Sequence, residues 1–149
     1  MSRIKKLYES MILDHNKNPR NFKELELCTH SSHGHNPLCG DDYFVYVKTE
    51  NGILEDISFK GQGCAISKSS GSLMTDALKG RSISECTEMK DLFLKLVTTE
   101  TTADEKVKLG KLKVFEGVKE FPARVKCAAL VWRALEQALI KGDEIIKTE

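Results

Sequence analysis

The stretch YFVYVKTENGILEDISF, residues 43–59, decides the fold class because it predicts two antiparallel strands joined by a tight turn. Two runs of aromatic and β-branched residues flank Asn51–Gly52, a dipeptide that favours the positive φ angles of a type I′ turn. The glycine-rich segment KGQGC follows the second strand. The sequence therefore places an antiparallel hairpin in the first half of the chain.

Helical patterns surround this hairpin on both sides. Before it, apolar residues recur at helical spacing and predict an amphipathic first helix: Ile4, Leu7, Tyr8, Met11 and Ile12. After it, Gly80 ends one predicted helix, and Ser82 with Glu85 forms a capping box that begins the next. Pro122 begins a final helix.

The segments between these elements are mostly polar. Residues 23–42 are predicted to be loop or extended chain, and TTETTADEK, residues 98–106, to be a polar loop. The order of a helix, a hairpin and several further helices predicts an α+β fold. We expect one domain, residues 1–149, in which a small antiparallel sheet of about three strands packs against several helices.

The composition indicates a globular protein and excludes several classes of function. Of 149 residues, 40% are hydrophobic and 30% are charged, so the chain can bury a core. The formal net charge of +1 gives no reason to expect nucleic acid or an anionic membrane as a partner. No apolar run is long enough to span a bilayer, and the start MSRIKKLYESMILDH lacks the apolar core of a signal peptide. We therefore expect a cytoplasmic protein.

Three of the five cysteines lie at predicted junctions between elements. Cys39 lies in a loop within HGHNPLCGDD, Cys64 begins a helix after Gly-Gln-Gly, and Cys127 falls in the first turns of the last helix. The free N–H groups at the start of a helix favour the thiolate form of Cys64. Cys86 lies on an apolar helical stripe and Cys28 has no special flank, so we interpret both as structural residues.

The three junction cysteines and Asp41 together form a ligand set that suits tetrahedral zinc or an iron–sulfur cluster. The spacing alone leaves this open, because the gaps are long and no CxxC pair is present. The alternatives for the loop around Cys39 are a reactive thiol and an ordinary turn that leads into a strand.

The four histidines are candidates for further ligands. His30, His33 and His35 precede Cys39 and could add a ligand, but HSSHGHN is also typical of a polar loop, for which solvent exposure is expected. His15 ends the first helix, where the helix dipole favours a partly positive imidazole.

Four ordered motifs resemble one protein family. They are LDHNKNPRN, NPLCGDD, GQGCAISKSSGSLMT and GVKEFPARVKCAALVW, and together they extend over most of the chain. The chain thereby resembles the U-type proteins of iron–sulfur cluster biogenesis, which comprise IscU, SufU and the N-terminal part of NifU. The resemblance implies a compact α+β fold with the three cysteines together at one end. It also implies the metal ligands: Cys39, Asp41, Cys64 and Cys127.

Within this family the chain is most similar to the SufU branch. IscU-type scaffolds carry a histidine immediately before the last cysteine, whereas this chain has Lys126. Similarity to SufU implies a zinc-dependent sulfurtransferase that accepts persulfide sulfur from a SufS-type cysteine desulfurase and supplies downstream iron–sulfur assembly proteins. Cys39 is the expected sulfur acceptor, because its Pro/Gly loop can move while Cys64 and Cys127 are attached to helices.

The same four ligands allow two other functions. The chain could be a scaffold that assembles a [2Fe–2S] cluster, with iron in place of zinc, and passes it on. It could also be a structural zinc domain without sulfur chemistry. The sequence leaves open whether His33 or His35 joins the metal site.

Overall fold

The computed structural model describes residues 2–140 and 145–147, which form five α-helices, one 3-10 helix and four strands. In chain order the elements are α1 (Ser2–Lys17), β1 (His30–Asn36), β2 (Asp41–Glu50), β3 (Ile53–Gln62), α2 (Ala65–Leu78), α3 (Ile83–Thr98), α4 (Ala103–Leu109), the 3-10 helix (Gly110–Glu120), α5 (Pro122–Ile140) and β4 (Ile145–Lys147). The predicted α+β class is confirmed.

The sheet has the strand order β3-β2-β1-β4. The first three strands form an antiparallel meander, and the short β4 pairs with β1 in parallel. The predicted hairpin is confirmed: Asn51 and Gly52 connect β2 to β3 with φ angles of 52° and 77°. Strand β1 lies within residues 23–42, where the sequence predicted only loop or extended chain.

One face of the sheet is covered by helices. Helix α5 packs on β1 and β2, α2 packs on β3 and against α5, and α1 lies on α2. Gly71 permits the close approach of α2, because a Cβ atom there would lie 2.6 Å from the ring of Phe59. Trp132 is fully buried on α5 and stacks on Phe93 of α3, at 4.5 Å between ring centroids. The core therefore lies between the sheet and these helices.

Two helix predictions need correction. Helix α4 begins inside the segment predicted to be a polar loop, because Thr102 caps it and forms a capping box with Glu105. The apolar stripe of α1 is only partly packed: Ile4 and Leu7 are 57% and 58% exposed. The other cap predictions hold, since Ser82 and Glu85 make the capping box of α3.

None of the described helices is long and apolar enough to cross a membrane.

Candidate metal centre

Three separate segments bring the predicted site residues to one end of the molecule. Cys39 lies in the turn between β1 and β2, and Asp41 is the first residue of β2. Cys64 is the N-cap of α2, and Cys127 lies near the start of α5. Asp41 is fully buried and Cys127 is nearly so, whereas Cys39 and Cys64 are exposed. The cluster is therefore buried on the side of Asp41 and Cys127 and open to solvent on the side of Cys39 and Cys64.

The distances within this cluster are short. Sγ of Cys39 lies 3.2 Å from Oδ2 of Asp41 and 3.5 Å from Sγ of Cys127. One ligand atom from each of these three residues lies within 4.8 Å of the others. Sγ of Cys64 lies 3.9 Å from the same Oδ2 of Asp41. The thiols of Cys39 and Cys64 thus both face Oδ2 of Asp41, and the thiol of Cys127 lies beside that of Cys39.

The turn around Cys39 is held by Asn36. Its side-chain oxygen accepts a hydrogen bond from the N–H of Leu38 at 3.1 Å, and its carbonyl accepts one from the N–H of Gly40 at 2.9 Å. Gly40 has a φ of 76°, which glycine adopts at low cost. The resulting turn leaves Cys39 exposed.

Cys64 occupies the helix start that the sequence predicted. Its Sγ accepts a hydrogen bond from the N–H of Ser67 at 3.4 Å. Its own N–H donates to Oδ1 of Asp41 at 2.9 Å. The start of α2 therefore holds both the thiol and the carboxylate in place.

A supporting layer lies beneath these ligands and was missed in the sequence. The hydroxyl groups of Tyr43 and Ser67 are hydrogen-bonded at 3.1 Å, and both residues are fully buried. A Cβ atom on Gly63 would lie 2.5 Å from Oδ1 of Asp41 and 2.6 Å from Oγ of Ser67. Gly63 is thus required for the close approach of α2 to β2. The signal available in the sequence was the position of Ser67, three residues after the N-cap Cys64.

Burial determines the protonation of two of the thiols in the absence of a cation. Burial raises the pKa of the Cys39 thiol. Burial, followed by hydrogen bonding to Asp41, raises the pKa of Cys127. Without a cation, these thiols are therefore held in their neutral form beside the carboxylate. A divalent metal ion reverses that preference, because a coordinating thiol is deprotonated.

The donor set fits a thiophilic metal ion. Oδ1 of Asp41 accepts a hydrogen bond from the N–H of Cys64, and Oδ2 of the same carboxylate faces the thiols of Cys39 and Cys64. Sulfur donors and one carboxylate oxygen suit zinc or iron–sulfur chemistry better than magnesium or calcium, which prefer oxygen ligands alone.

The predictions for the histidines are only partly correct: His30 is exposed, as expected, but the other three differ. His33 and His35 lie on β1, are partly buried, and both contact Asp42. His15 is 4% exposed, and its Nδ1 lies 2.6 Å from Oγ of Ser72. Burial lowers the pKa of His15. The prediction of a partly positive imidazole at the end of α1 is therefore wrong.

The two remaining cysteines contribute little to this site. Cys86 is fully buried in the core, and burial raises its pKa to about 11, so its structural assignment agrees with its position. Cys28 is partly buried in the segment before β1.

Comparison with known proteins identifies the family. Residues 7–141 match the NifU-like N-terminal domain. The chain is 39% identical over 137 residues to the zinc-dependent sulfurtransferase SufU of Bacillus subtilis, covering 92% of each chain. It is 37% identical to the iron–sulfur cluster assembly scaffold protein IscU of Streptococcus pyogenes, covering 93% of this chain and 86% of that protein.

A solved structure gives the same result for the fold. It is that of a proposed iron–sulfur cluster assembly scaffold for the SUF system of Fervidobacterium islandicum, with a TM-score of 0.82 and 31% identity. The match covers 90% of this chain and 97% of that one. The chain therefore belongs to the NifU-like N-terminal domain family, the U-type proteins of iron–sulfur cluster biogenesis.

Proposed function

We propose that this protein is a zinc-dependent sulfurtransferase that accepts persulfide sulfur from a cysteine desulfurase, for use in iron–sulfur cluster assembly. The observation that carries the proposal is the cluster of three thiols beside the carboxylate of Asp41, with the thiol of Cys39 exposed in a turn. The 39% identity to a zinc-dependent sulfurtransferase supports the choice of zinc.

Zinc would be held by Cys39, Asp41, Cys64 and Cys127. When bound, it keeps the thiols deprotonated and supplies no redox chemistry of its own. Residues Cys64 and Asp41 are fixed by hydrogen bonds at the start of α2. Cys127 is buried on α5. Cys39 is the ligand best able to leave the cluster, because it is exposed in the β1–β2 turn.

The sulfur transfer is an exchange between a thiolate and a persulfide. The thiolate of Cys39 attacks the outer sulfur of the persulfide on the desulfurase. A new S–S bond forms on Cys39, the S–S bond on the desulfurase breaks, and the desulfurase cysteine leaves as a thiolate. No electrons enter or leave the pair, so this step needs neither an oxidant nor a reductant. Release of the sulfur as sulfide then requires an external thiol reductant.

The partners follow from this chemistry. A desulfurase of the SufS type is the proposed donor, and downstream iron–sulfur assembly proteins are the proposed recipients. The desulfurase supplies the pyridoxal phosphate chemistry, since this sequence contains no glycine motif that cradles a phosphate. We propose a cytoplasmic location, where thiols stay reduced.

A scaffold for a [2Fe–2S] cluster is the second candidate. It is favoured by the 37% identity to an IscU scaffold and by the same four ligands. In that case the cluster is cargo, and Cys39 is a ligand that releases it instead of an acceptor of sulfur.

Metal content and desulfurase stimulation together separate these functions. The full chain is purified without oxygen and assayed for zinc, iron and acid-labile sulfide. It is then added to a SufS-type desulfurase with cysteine and a reductant. We expect a colourless protein with about one zinc per chain that increases sulfide release. Brown protein with iron and sulfide would favour the scaffold, and zinc without stimulation would favour a purely structural site.

Three serine variants assign the roles within the site. Cys64→Ser and Cys127→Ser should lose most of the zinc, because each removes a thiolate anchored to a helix. Cys39→Ser should retain more zinc and still fail to stimulate the desulfurase. Cys86→Ser is the matched control in the core, and it should keep both properties. The assigned roles would be reversed if Cys39→Ser stimulated the desulfurase fully while Cys64→Ser kept its zinc and lost this activity.

A further inference from the structure

The hydroxyl group of Tyr43 is a polar group on an otherwise apolar part of a strand face. Tyr43 is fully buried on the helix-facing side of β2, together with Val45 and Val47. Its ring packs near that of Phe59, at 5.8 Å between centroids, where a phenylalanine would bury the same ring. A buried hydroxyl group lowers stability unless it is hydrogen-bonded. The partner of this hydroxyl therefore indicates what it does.

The Tyr43 hydroxyl lies directly beneath the loop that carries Cys64. It is hydrogen-bonded to Oγ of Ser67 at 3.1 Å. A Cβ atom on Gly63 would lie 2.8 Å from Oη of Tyr43, so the residue before Cys64 packs on this hydroxyl. Oγ of Ser67 in turn lies 3.0 Å from the carbonyl oxygen of Cys64 and 3.6 Å from its Sγ. The two hydroxyl groups therefore connect the core to Cys64.

The hydrogen bonds in this chain run in one direction. A carbonyl oxygen can only accept, so the proton of the Ser67 hydroxyl is donated to Cys64. Ser67 has no second hydroxyl proton, so the Tyr43 hydroxyl is the donor in the bond between them. Tyr43 thus holds Oγ of Ser67 in place. Rotation about the Cβ–Oγ bond then turns the Ser67 proton from the carbonyl oxygen to Sγ of Cys64, once that sulfur is a metal-bound thiolate.

Cys64 and Cys39 differ in their hydrogen-bond donors. Sγ of Cys64 accepts a hydrogen bond from the N–H of Ser67 at 3.4 Å and has the Ser67 hydroxyl beside it. Sγ of Cys39 has the backbone of Asp41 as a donor, but its side-chain neighbours are the carboxylate of Asp41 and the thiol of Cys127. A carboxylate donates no hydrogen bond. Cys64 is thus the thiol with the additional hydroxyl donor.

A hydrogen bond to a metal-bound thiolate has two effects. It orients the ligand, and loss of such an outer partner costs about 10–100-fold in metal affinity. It also engages the electron pair with which the sulfur would attack, so that this thiolate is the weaker nucleophile. Exposure does not distinguish the two thiols, because Cys39 and Cys64 are both exposed. The hydrogen bonds do.

We propose that Tyr43 and Ser67 are positioning residues that keep Cys64 on the metal and leave Cys39 as the thiolate that reacts. The inference rests on the proposed zinc site and on the proposed sulfur transfer. Neither hydroxyl group touches the sulfur that is transferred, because Ser67 acts on Cys64 and Tyr43 acts through Ser67. A hydrogen-bond chain from the core thus selects the reacting cysteine.

Alkylation of the zinc-loaded full chain measures which thiolate reacts. A limiting amount of iodoacetamide is added, and peptide mapping by mass spectrometry gives the rates at Cys39 and Cys64. We expect Cys39 to react first in the unaltered chain. Ser67→Ala should raise the rate at Cys64 relative to Cys39 by about twofold to tenfold, the effect of losing one hydrogen bond. Tyr43→Phe should change this ratio in the same direction by a smaller factor.

Two further measurements distinguish positioning from a merely structural role. Tyr43→Phe should add no change in a chain that already carries Ser67→Ala, because Tyr43 acts through Ser67. In the Co²⁺-loaded chain, Ser67→Ala should move the sulfur-to-cobalt charge-transfer band to longer wavelength, because the thiolate of Cys64 loses a hydrogen bond.

Ser69→Ala and Tyr46→Phe are the matched controls. Ser69 is buried on the same helix, and its hydroxyl donates to carbonyl groups of that helix. Tyr46 lies on the same strand as Tyr43 and faces the other side of the sheet. Both controls should keep the alkylation ratio and the band of the unaltered chain. Circular dichroism verifies folding, and if Ser67→Ala does not fold, Tyr43→Phe decides through the ratio and the band.

Several results would overturn the proposal. They are alkylation of Cys64 before Cys39 in the unaltered zinc-loaded chain, an unchanged ratio and band in both Tyr43→Phe and Ser67→Ala, additive effects in the double variant, and a control that shifts like Ser67→Ala. The proposed function fails separately, if the unaltered chain binds no zinc or takes up no sulfur from the desulfurase.

Discussion

His15 couples the stability of the protein to pH at the scale of one residue. Oγ of Ser72 accepts a hydrogen bond from the N–H of Arg20 at 2.8 Å, so its hydroxyl proton is available to an unprotonated Nδ1 of His15. Burial, with a smaller contribution from Arg20, lowers the pKa of His15 below its ordinary value. The unfolded chain therefore binds a proton more readily than the folded one at this position.

The sign of the pH effect follows from this difference. The contribution of His15 to stability is present above the unfolded pKa of about 6.5 and is lost as the pH falls towards the lower folded pKa. We expect the free energy of unfolding in urea to fall more between pH 7.5 and 5.5 in the unaltered chain than in His15→Gln. An equal fall in both proteins would show that His15 is not the group responsible.

We expect Lys126 to influence whether the site binds zinc or an iron–sulfur cluster. It precedes Cys127 immediately, at the position where IscU-type scaffolds carry a histidine. An imidazole can bind a metal ion, whereas a protonated lysine cannot. We therefore expect Lys126→His to give more iron–sulfur cluster after anaerobic reconstitution with iron and sulfide, read from visible absorption. Lys126→Gln is the control without an imidazole, and equal cluster yield in all three proteins would contradict the prediction.

At the scale of elements, Gly71 allows helix α2 to pack closely on strand β3. Gly71 faces the ring of Phe59, and a Cβ atom there would approach three ring atoms to between 2.6 and 2.9 Å. Gly71→Ala should therefore destabilise the protein by about 1–3 kcal/mol through overpacking. Chemical denaturation measures this change.

Gly117 provides the matched control for that substitution. A Cβ atom on Gly117 would meet nothing within 4 Å. Gly117→Ala should therefore leave the stability nearly unchanged or raise it slightly. Equal effects of the two substitutions would mean that the close packing of α2 on Phe59 has no energetic consequence.

Elements with strong local signals could be predicted from the sequence. The hairpin followed from Asn51–Gly52, and α3 followed from the capping box of Ser82 and Glu85. The bounds of strand β1 could not be predicted, because HSSHGHN is polar throughout and the strand forms through its pairing with β2. The missed α4 did have a local signal, the capping box of Thr102 and Glu105.

The site residues could be proposed from the sequence only with the help of a family resemblance. The four ligands come from distant segments, so their spacing carries little information by itself. The buried support by Tyr43 and Ser67 depends on the approach of α2 to β2, which no local pattern reveals. The placement of the histidines away from the cysteines likewise depends on the strand register.

At the scale of the whole molecule, the proposed metal ion connects three parts of the fold. Its ligands lie in the β1–β2 turn, at the start of α2 and near the start of α5. A ligand that binds only the folded state stabilises it by about 2.7 kcal/mol at a hundredfold excess over its dissociation constant. For a chain of this length that corresponds to about 5–10 °C in Tm.

Removal of zinc by a strong chelator should therefore lower Tm by about that amount. Thermal unfolding followed by circular dichroism, with the metal content verified before and after, measures the shift. Re-addition of zinc should restore the original Tm. An unchanged Tm after complete removal of the metal would show that the site does not contribute to the stability of the fold.

The central claim is that Cys39 accepts sulfur from a desulfurase. It is tested most directly by mass spectrometry of the zinc-loaded chain after incubation with a SufS-type desulfurase and cysteine, without reductant, followed by peptide mapping. We predict that one added sulfur atom is found on Cys39, and that the Cys39→Ser variant acquires none. Sulfur found on Cys64 or Cys127, or no sulfur on any cysteine while the desulfurase carries its own persulfide, would contradict the account.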